Sequence, residues 1–235
     1  MLRAGKENRK VLEDTEKLVV NDILEAIASH RLKAGTKLGE QALADIYKCN
    51  RSNVRRALAV LAAQKVVDLK PNRGAFVAMP TPRDARNVYQ ARRAIETTIV
   101  RAIARDRPGQ GIALLRRHCA REQAMRDAPN RGEAIQLSGQ FHLILAEIAG
   151  NEVLAAFLRE LVLRSSLIIG LYAPASASPC GDDEHSEIVE ALAAGDADRA
   201  IALMDHHLRH IENALRFEPA EEERDLRELL LPSRG

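Results

Sequence analysis

Positions 51–64, RSNVRRALAVLAAQ, put three arginines at the start of an amphipathic segment. Val54, Leu58 and Leu61 fall at i, i+4 and i+7, the spacing of a helix with one buried stripe. Asn50, just before them, is a residue type whose side chain caps a helix N-terminus. Arg51 and Arg55 are four residues apart, so they share a face away from that stripe. A guanidinium placed there can grip O6 and N7 of a guanine with two hydrogen bonds, and Ser52 and Asn53 can reach bases or phosphates. Arg56 adds a third positive charge. Between Lys48 and Arg73 seven basic residues stand against one acidic residue. DNA reading is the chemistry this pattern would serve. A solvated basic face on an ordinary helix has the same composition, and spacing alone leaves both readings open.

The flanking elements narrow the choice. KLVVNDILEAIASH at 17–30 carries Leu18, Val19, Ile23 and Ile27 near helical spacing and ends before a Lys33-Ala34-Gly35 turn. A short helix fits 40–47, with Leu43, Ala44 and Tyr47 on one side. After the basic helix, Val66-Val67-Asp68-Leu69 reads as a strand, Pro71-Asn72-Arg73-Gly74 as a turn and Ala75-Phe76-Val77-Ala78 as a return strand. Three helices followed by a hairpin outline a winged helix-turn-helix, whose second helix of the motif enters the major groove.

The 235 residues, 46% hydrophobic, 29% charged and 3% aromatic, suit two domains with helical cores of Leu, Ile, Val and Ala. The expected division is a basic extension at 1–16, the winged helix-turn-helix at 17–79 and a linker at 80–84 around Pro80 and Pro82. A helical domain follows at 85–217, and an acidic tail at 218–235. The fold class is therefore mainly α. Net charge is only +2, but residues 1–80 carry 15 Lys and Arg against 9 Asp and Glu, and no lysine follows Lys70. That asymmetry separates a nucleic-acid module from a differently employed one. No apolar run is long enough for a membrane span, and MLRAGKENRK lacks the apolar stretch of a secretory signal. Three scattered cysteines suit a reducing cytoplasm.

The stretch from Leu18 to Val77 resembles the N-terminal domain of the GntR family of bacterial transcription regulators. The residues that carry the likeness are Leu32, Gly35, Leu38, Glu40, Leu43, Ala44, Arg51, Val54, Arg55, Ala57, Leu58, Leu61, Asn72, Arg73, Gly74, Phe76 and Val77. The resemblance implies that Arg51 and Arg55 contact operator DNA and that the wing tip at Asn72, Arg73 and Gly74 enters the minor groove. Gln41 and Arg56 depart from residues common in the family, which implies a different operator sequence.

The remainder resembles the FCD ligand-binding domain of the FadR-like branch, through RRAIE at 92–96, Phe141-His142, Gly150-Asn151, Glu184-His185 with Ile188 and Leu192, Gly195-Asp196 and His207-Leu208. Many such domains hold a divalent metal through an aspartate and three histidines. The matching residues are His142, His185 and His207, with Ser138 at the usual aspartate position. Imidazoles suit zinc or nickel and leave positions open for water or a small anion. Cys180 could replace the missing ligand, although an ordinary loop thiol explains it equally well. Periodicity turns His207 toward the stripe of Ile201, Met204, Leu208, Ile211 and Leu215 and leaves His206 nearly opposite. Arg92 either meets an effector or pairs with Glu96. Arg164 and Ser165, set in apolar LVLRSSLIIGLY, need partners if buried, and Asn213 is a further effector-binding candidate.

These expectations add up to a homodimeric repressor that binds a palindromic operator and answers to a small metabolite such as a carboxylate. A metal-dependent hydrolase on a helical bundle is the alternative, since three histidines with an open position can activate water. It lacks a well-aimed general base, because nothing points Glu184 or Glu187 at such a water. A non-specific architectural protein sits poorly with the −4 balance of residues 81–235.

Overall fold

The computed structural model describes residues 2–106, 108–125, 131–174 and 183–217, with side chains from residue 15 onward. Cys180 and the acidic segment 218–235 lie outside the described residues. The chain clusters into two compact units that divide between Met79 and Pro80. The architecture is mainly α, with one small sheet. No described helix is long and apolar enough to cross a membrane.

In the first unit the order is α1 (Leu2–Ala28), β1 (Lys37–Leu38), α2 (Glu40–Ile46), α3 (Arg51–Ala63), β2 (Val67–Lys70) and β3 (Gly74–Val77). Helix α1 starts fifteen residues earlier than the periodic pattern at 17–30 suggests. Residues 2–16 hold no proline and are rich in good helix formers, so nothing interrupts the helix before position 17. Val19, Ile23 and Ile27 of α1, Leu43 of α2 and Val54, Leu58 and Leu61 of α3 are all buried together in the core. Removal of that much aliphatic surface from water is what holds the three helices.

The sheet is antiparallel in the order β1-β3-β2, with Val67 opposite Val77 and Leu69 opposite Ala75. β1 is only two residues long, Lys37 opposite Phe76 and Leu38 opposite Ala75, too short to show an alternating pattern. The wing turn needs left-handed backbone at Asn72 (φ 57°) and at Gly74 (φ 94°). Asparagine tolerates that region, and a glycine enters it without steric cost.

In the second unit α4 (Pro82–Asp106) packs against α9 (Ala197–Ala214), α7 (Glu152–Tyr172), α6 (Arg131–Ala149) and α8 (Glu184–Ala194), while α5 (Gly109–Ala124) lies on α6 and α8. The buried stripe of α4 runs Ala85, Val88, Tyr89, Arg92, Glu96, Ile99, Val100 and Ile103. Two charged residues thus occupy a face that is otherwise apolar.

Helix α3 begins at a built cap: Asn50 Oδ1 accepts from the Asn53 amide at 3.0 Å and from the Ser52 hydroxyl at 2.6 Å. An Asn50→Ala substitution is expected to cost about 1 kcal/mol of stability. Urea unfolding of the two proteins side by side measures it.

Candidate functional site: a basic helix and a buried histidine cluster

Arg51, Ser52 and Arg55 at the N-terminal end of α3 are exposed, as are Asn72, Arg73 and Gly74 at the wing tip. Glu40, the first residue of α2, reaches across to α3. Its Oε2 accepts from Arg51 Nη2 at 2.9 Å and from Arg55 Nε at 2.8 Å, and these bonds, Arg51's first, hold its carboxyl below the usual range. Lys70 and Arg73 stand over the Phe76 ring at 4.8 and 5.9 Å, which braces the wing.

One residue of the expected DNA face is placed otherwise, and another, Arg56, is exposed but already paired. Asn53 is turned inward and only 4% exposed, because position 53 borders the Val54 stripe. Its Oδ1 accepts from Arg56 Nη2 at 2.8 Å. Arg56 also bonds Glu16 of α1 at 3.2 Å, so its guanidinium ties α3 to α1.

In the second unit the structure brings His142 (α6), His185 (α8) and His207 (α9) together, all buried, with their ligand atoms within 4.8 Å of one another. Each ring is anchored through Nδ1 to a different carboxylate. His142 Nδ1 lies 2.5 Å from Glu96 Oε2, His185 Nδ1 3.0 Å from both oxygens of Glu122, and His207 Nδ1 2.7 Å from Glu184 Oε2. Phe141 stacks on His185 at 3.9 Å between centroids and meets His142 edge-on at 5.5 Å. These contacts set the ring planes.

Burial pushes all three histidines toward the neutral form. His142 is driven well below its ordinary value, His185 to about 3 and His207 to about 4. For Glu184, burial pushes upward, but the bonds from His207 and His210 outweigh it and carry the carboxyl to about 2. At neutral pH the pair is therefore a carboxylate accepting from a neutral imidazole. The proton sits on Nδ1, and Nε2 carries a bare lone pair. Yet Nε2 of His185 and Nε2 of His207 are only 3.2 Å apart. Two lone pairs at that distance repel unless a cation or a shared proton lies beside them.

Arg92 is 2% exposed, bonds Glu96 Oε1 at 2.7 Å through Nε and Ser165 Oγ at 2.9 Å through Nη1. The Glu96 pair and the inward orientation therefore coexist. Its Nη2 is buried and has no partner among the described residues, and so is the Tyr89 hydroxyl one turn earlier on α4. Ser138 is buried one turn before His142 on α6. Arg164 and Asn213 do not join this group. Arg164 has a 39% exposed side chain, 2.8 Å from Glu160 on its own helix, and Asn213 is exposed on α9. His206 is 74% exposed.

Spacing alone did not single out Glu122 or Tyr89, and it offered Glu96 only as a partner for Arg92. Their common signal is a polar residue on a buried stripe, which for Glu96 and Tyr89 is visible along α4. Glu184 owes its position to the first turn of α8, directly before His185.

Residues 87–210 match the FCD domain, and residues 15–77 match the bacterial regulatory proteins of the gntR family. The chain is 26% identical over 219 residues to the HTH-type transcriptional regulator LutR of Bacillus subtilis, covering 80% of this chain and 95% of LutR. It is 24% identical over 222 residues to the HTH-type transcriptional repressor NanR of Salmonella newport, covering 83% of this chain and 82% of NanR. Among solved structures it is similar to Escherichia coli McbR/YncC, with a TM-score of 0.66, 18% identity and coverage of 83% of this chain and 94% of that one. A GntR regulator from Rhodococcus sp. RHA1, also solved, gives a TM-score of 0.62, 24% identity and coverage of 84% and 95%. These two structural likenesses show the fold.

Acid should act on this cluster in a defined window. His185 and His207 stay neutral in the fold to about 3 and about 4, whereas unfolded they take up protons near pH 6.5. The unfolded chain then binds more protons, so stability falls as pH drops below about 6.5. In chelator-treated protein the urea midpoint should be flat above pH 7 and decline from 6.5 to 5. The slope is at most about 1.4 kcal/mol per pH unit for each histidine. A double His185→Gln, His207→Gln variant should show a flatter profile.

Proposed function

The chain belongs to the GntR family of bacterial transcription regulators, in the branch with a C-terminal FCD domain, and is a DNA-binding transcription regulator. From that premise we propose a cytoplasmic homodimeric repressor that binds a palindromic operator and is controlled by a small anionic metabolite held in the helical unit. The single observation that carries the control site is three buried histidines with ligand nitrogens within 4.8 Å of one another while each Nδ1 meets a carboxylate.

On the DNA side, Arg51, Ser52 and Arg55 present their polar ends from the start of α3, and Asn72, Arg73 and Gly74 form the tip of the wing. Symmetric pairing of two chains would place two such helices on the half-sites of a palindrome. Asn53 supports α3 from within, and Arg56, exposed but paired with Glu16 and Asn53, flanks the reading face.

On the control side, the donor set fits a divalent metal. His142, His185 and His207 would hold zinc or nickel through Nε2, and Glu96, Glu122 and Glu184 would fix their tautomers and orientation. Bound there, the metal supplies a Lewis-acidic anchor for the oxygen atoms of an anion. Ser138, a neutral hydroxyl in the place of the family's usual aspartate, adds no charge to that set. Arg92 Nη2, buried and without a partner among the described residues, fits a carboxylate of the effector. An effector changes operator affinity only if it binds one arrangement of the dimer better than another.

The hydrolase alternative has no support from the comparisons. Each carboxylate beside the cluster already accepts from an imidazole, which leaves none of them poised as a general base for water.

Selection from a randomised duplex pool at fixed, stated salt should enrich a short palindrome. Arg51→Ala and Arg55→Ala should each weaken binding to it by roughly tenfold or more, with the melting temperature unchanged. Enrichment without symmetry would contradict the dimer, and unaltered affinity in both variants would contradict the docking of α3.

A further inference from the structure

Glu40 is a carboxylate on the surface that meets DNA, where a negative charge opposes binding to phosphates. It is 28% exposed, yet one of its oxygens holds two arginines that come 11 and 15 residues later in the chain. Such a surface ion pair contributes little to folding. Its position instead suits a role in how the arginines meet a base.

The bonding pattern says which role. Arg55 is held through Nε, so the Nη1–Nη2 edge, which matches O6 and N7 of guanine, is left free by Glu40. Arg51 is held through Nη2. Both arginine side chains are more than half exposed, long and flexible. Left alone, they would repel each other and sample many rotamers, including those that reach for any nearby phosphate. Ordering them before the encounter lowers the entropy lost on binding, and the shared carboxylate cancels part of their attraction to phosphate.

We propose that Glu40 is a specificity-determining positioning residue: it presets Arg51 and Arg55 as a fork for base edges and suppresses their non-specific phosphate binding. The proposal rests on the reading that these two arginines face operator DNA. Glu40 thereby lowers total affinity and raises the ratio between operator and other sequences.

The test compares two duplexes of equal length, the sequence selected by the wild-type chain and a scrambled version, across a series of salt concentrations. In Glu40→Gln the scrambled duplex should bind about threefold more tightly, with a steeper salt dependence, as expected when phosphate-directed charge is released. The operator-to-scrambled ratio should fall by about tenfold. Glu40→Asp keeps the charge but shortens the reach, so it should hold scrambled affinity at the wild-type level while losing part of the ratio. Thermal melting should not change in either variant. An unaltered ratio in Glu40→Gln would reduce Glu40 to a surface ion pair and overturn the proposal. A loss confined to one cytosine position would also overturn it, because Glu40 would then be reading a base itself. A wild-type chain that shows no preference between the duplexes would instead overturn the DNA reading on which the proposal rests.

Discussion

The helical unit is organised by three buried imidazole Nδ1–H groups, each given to a glutamate, of which Glu96 is fully buried and Glu122 and Glu184 partly exposed. That one interaction decides the tautomers, and it leaves Nε2 of His185 and of His207 facing each other at 3.2 Å beside His142. It also decides which helices must meet. Glu96 comes from α4, Glu122 from α5, His142 from α6, Glu184 and His185 from α8 and His207 from α9. Ser165 brings in α7 through Arg92. All six helices of the unit therefore contribute to two hydrogen-bonded chains, Ser165–Arg92–Glu96–His142 and Glu122–His185–His207–Glu184, whose imidazole rings meet at 5.2–5.3 Å between centroids.

Such a network is poorly explained as a device for stability. Buried ions lose their hydration, and apolar residues of similar volume often serve the core as well or better. Here Arg92 and Glu96 interrupt the apolar stripe of α4 and are 2% and 1% exposed, and one guanidinium nitrogen is left unbonded within the described residues. A fold that keeps an unbonded buried donor beside convergent lone pairs sacrifices stability at that point. Departures of this kind from a consistent core are expected at functional or strained sites.

Helical periodicity made most of this fold legible. The apolar stripes located α2, α3 and the C-terminal half of α1 and marked 85–217 as helical, and Asn50 acts as the cap its type and place suggest. Periodicity also separated inward His207 from exposed His206. It failed where a residue borders a stripe. Asn53 sits next to Val54 and turns in, whereas Arg164 sits next to buried Ser165 and is half-buried, its Nη2 reaching Glu160. One step along a helix is about 100°, so neighbours can fall on either side of the boundary. Partners were harder still. Glu122 lies 63 residues from His185 and Glu40 lies 15 from Arg55, and no local pattern announces a contact of that kind.

Metal-edge X-ray absorption on protein loaded with equimolar zinc or nickel tests the central claim most directly. One metal per chain is expected, with three imidazole nitrogens at about 2.0–2.1 Å and oxygen ligands completing the shell. Replacing His142, His185 or His207 singly by alanine should remove one nitrogen scatterer or abolish retention of the metal. Protein that retains no metal at equimolar loading and melts at the same temperature with and without it would contradict the account. The three histidines would then serve only to bind an effector or to brace the core.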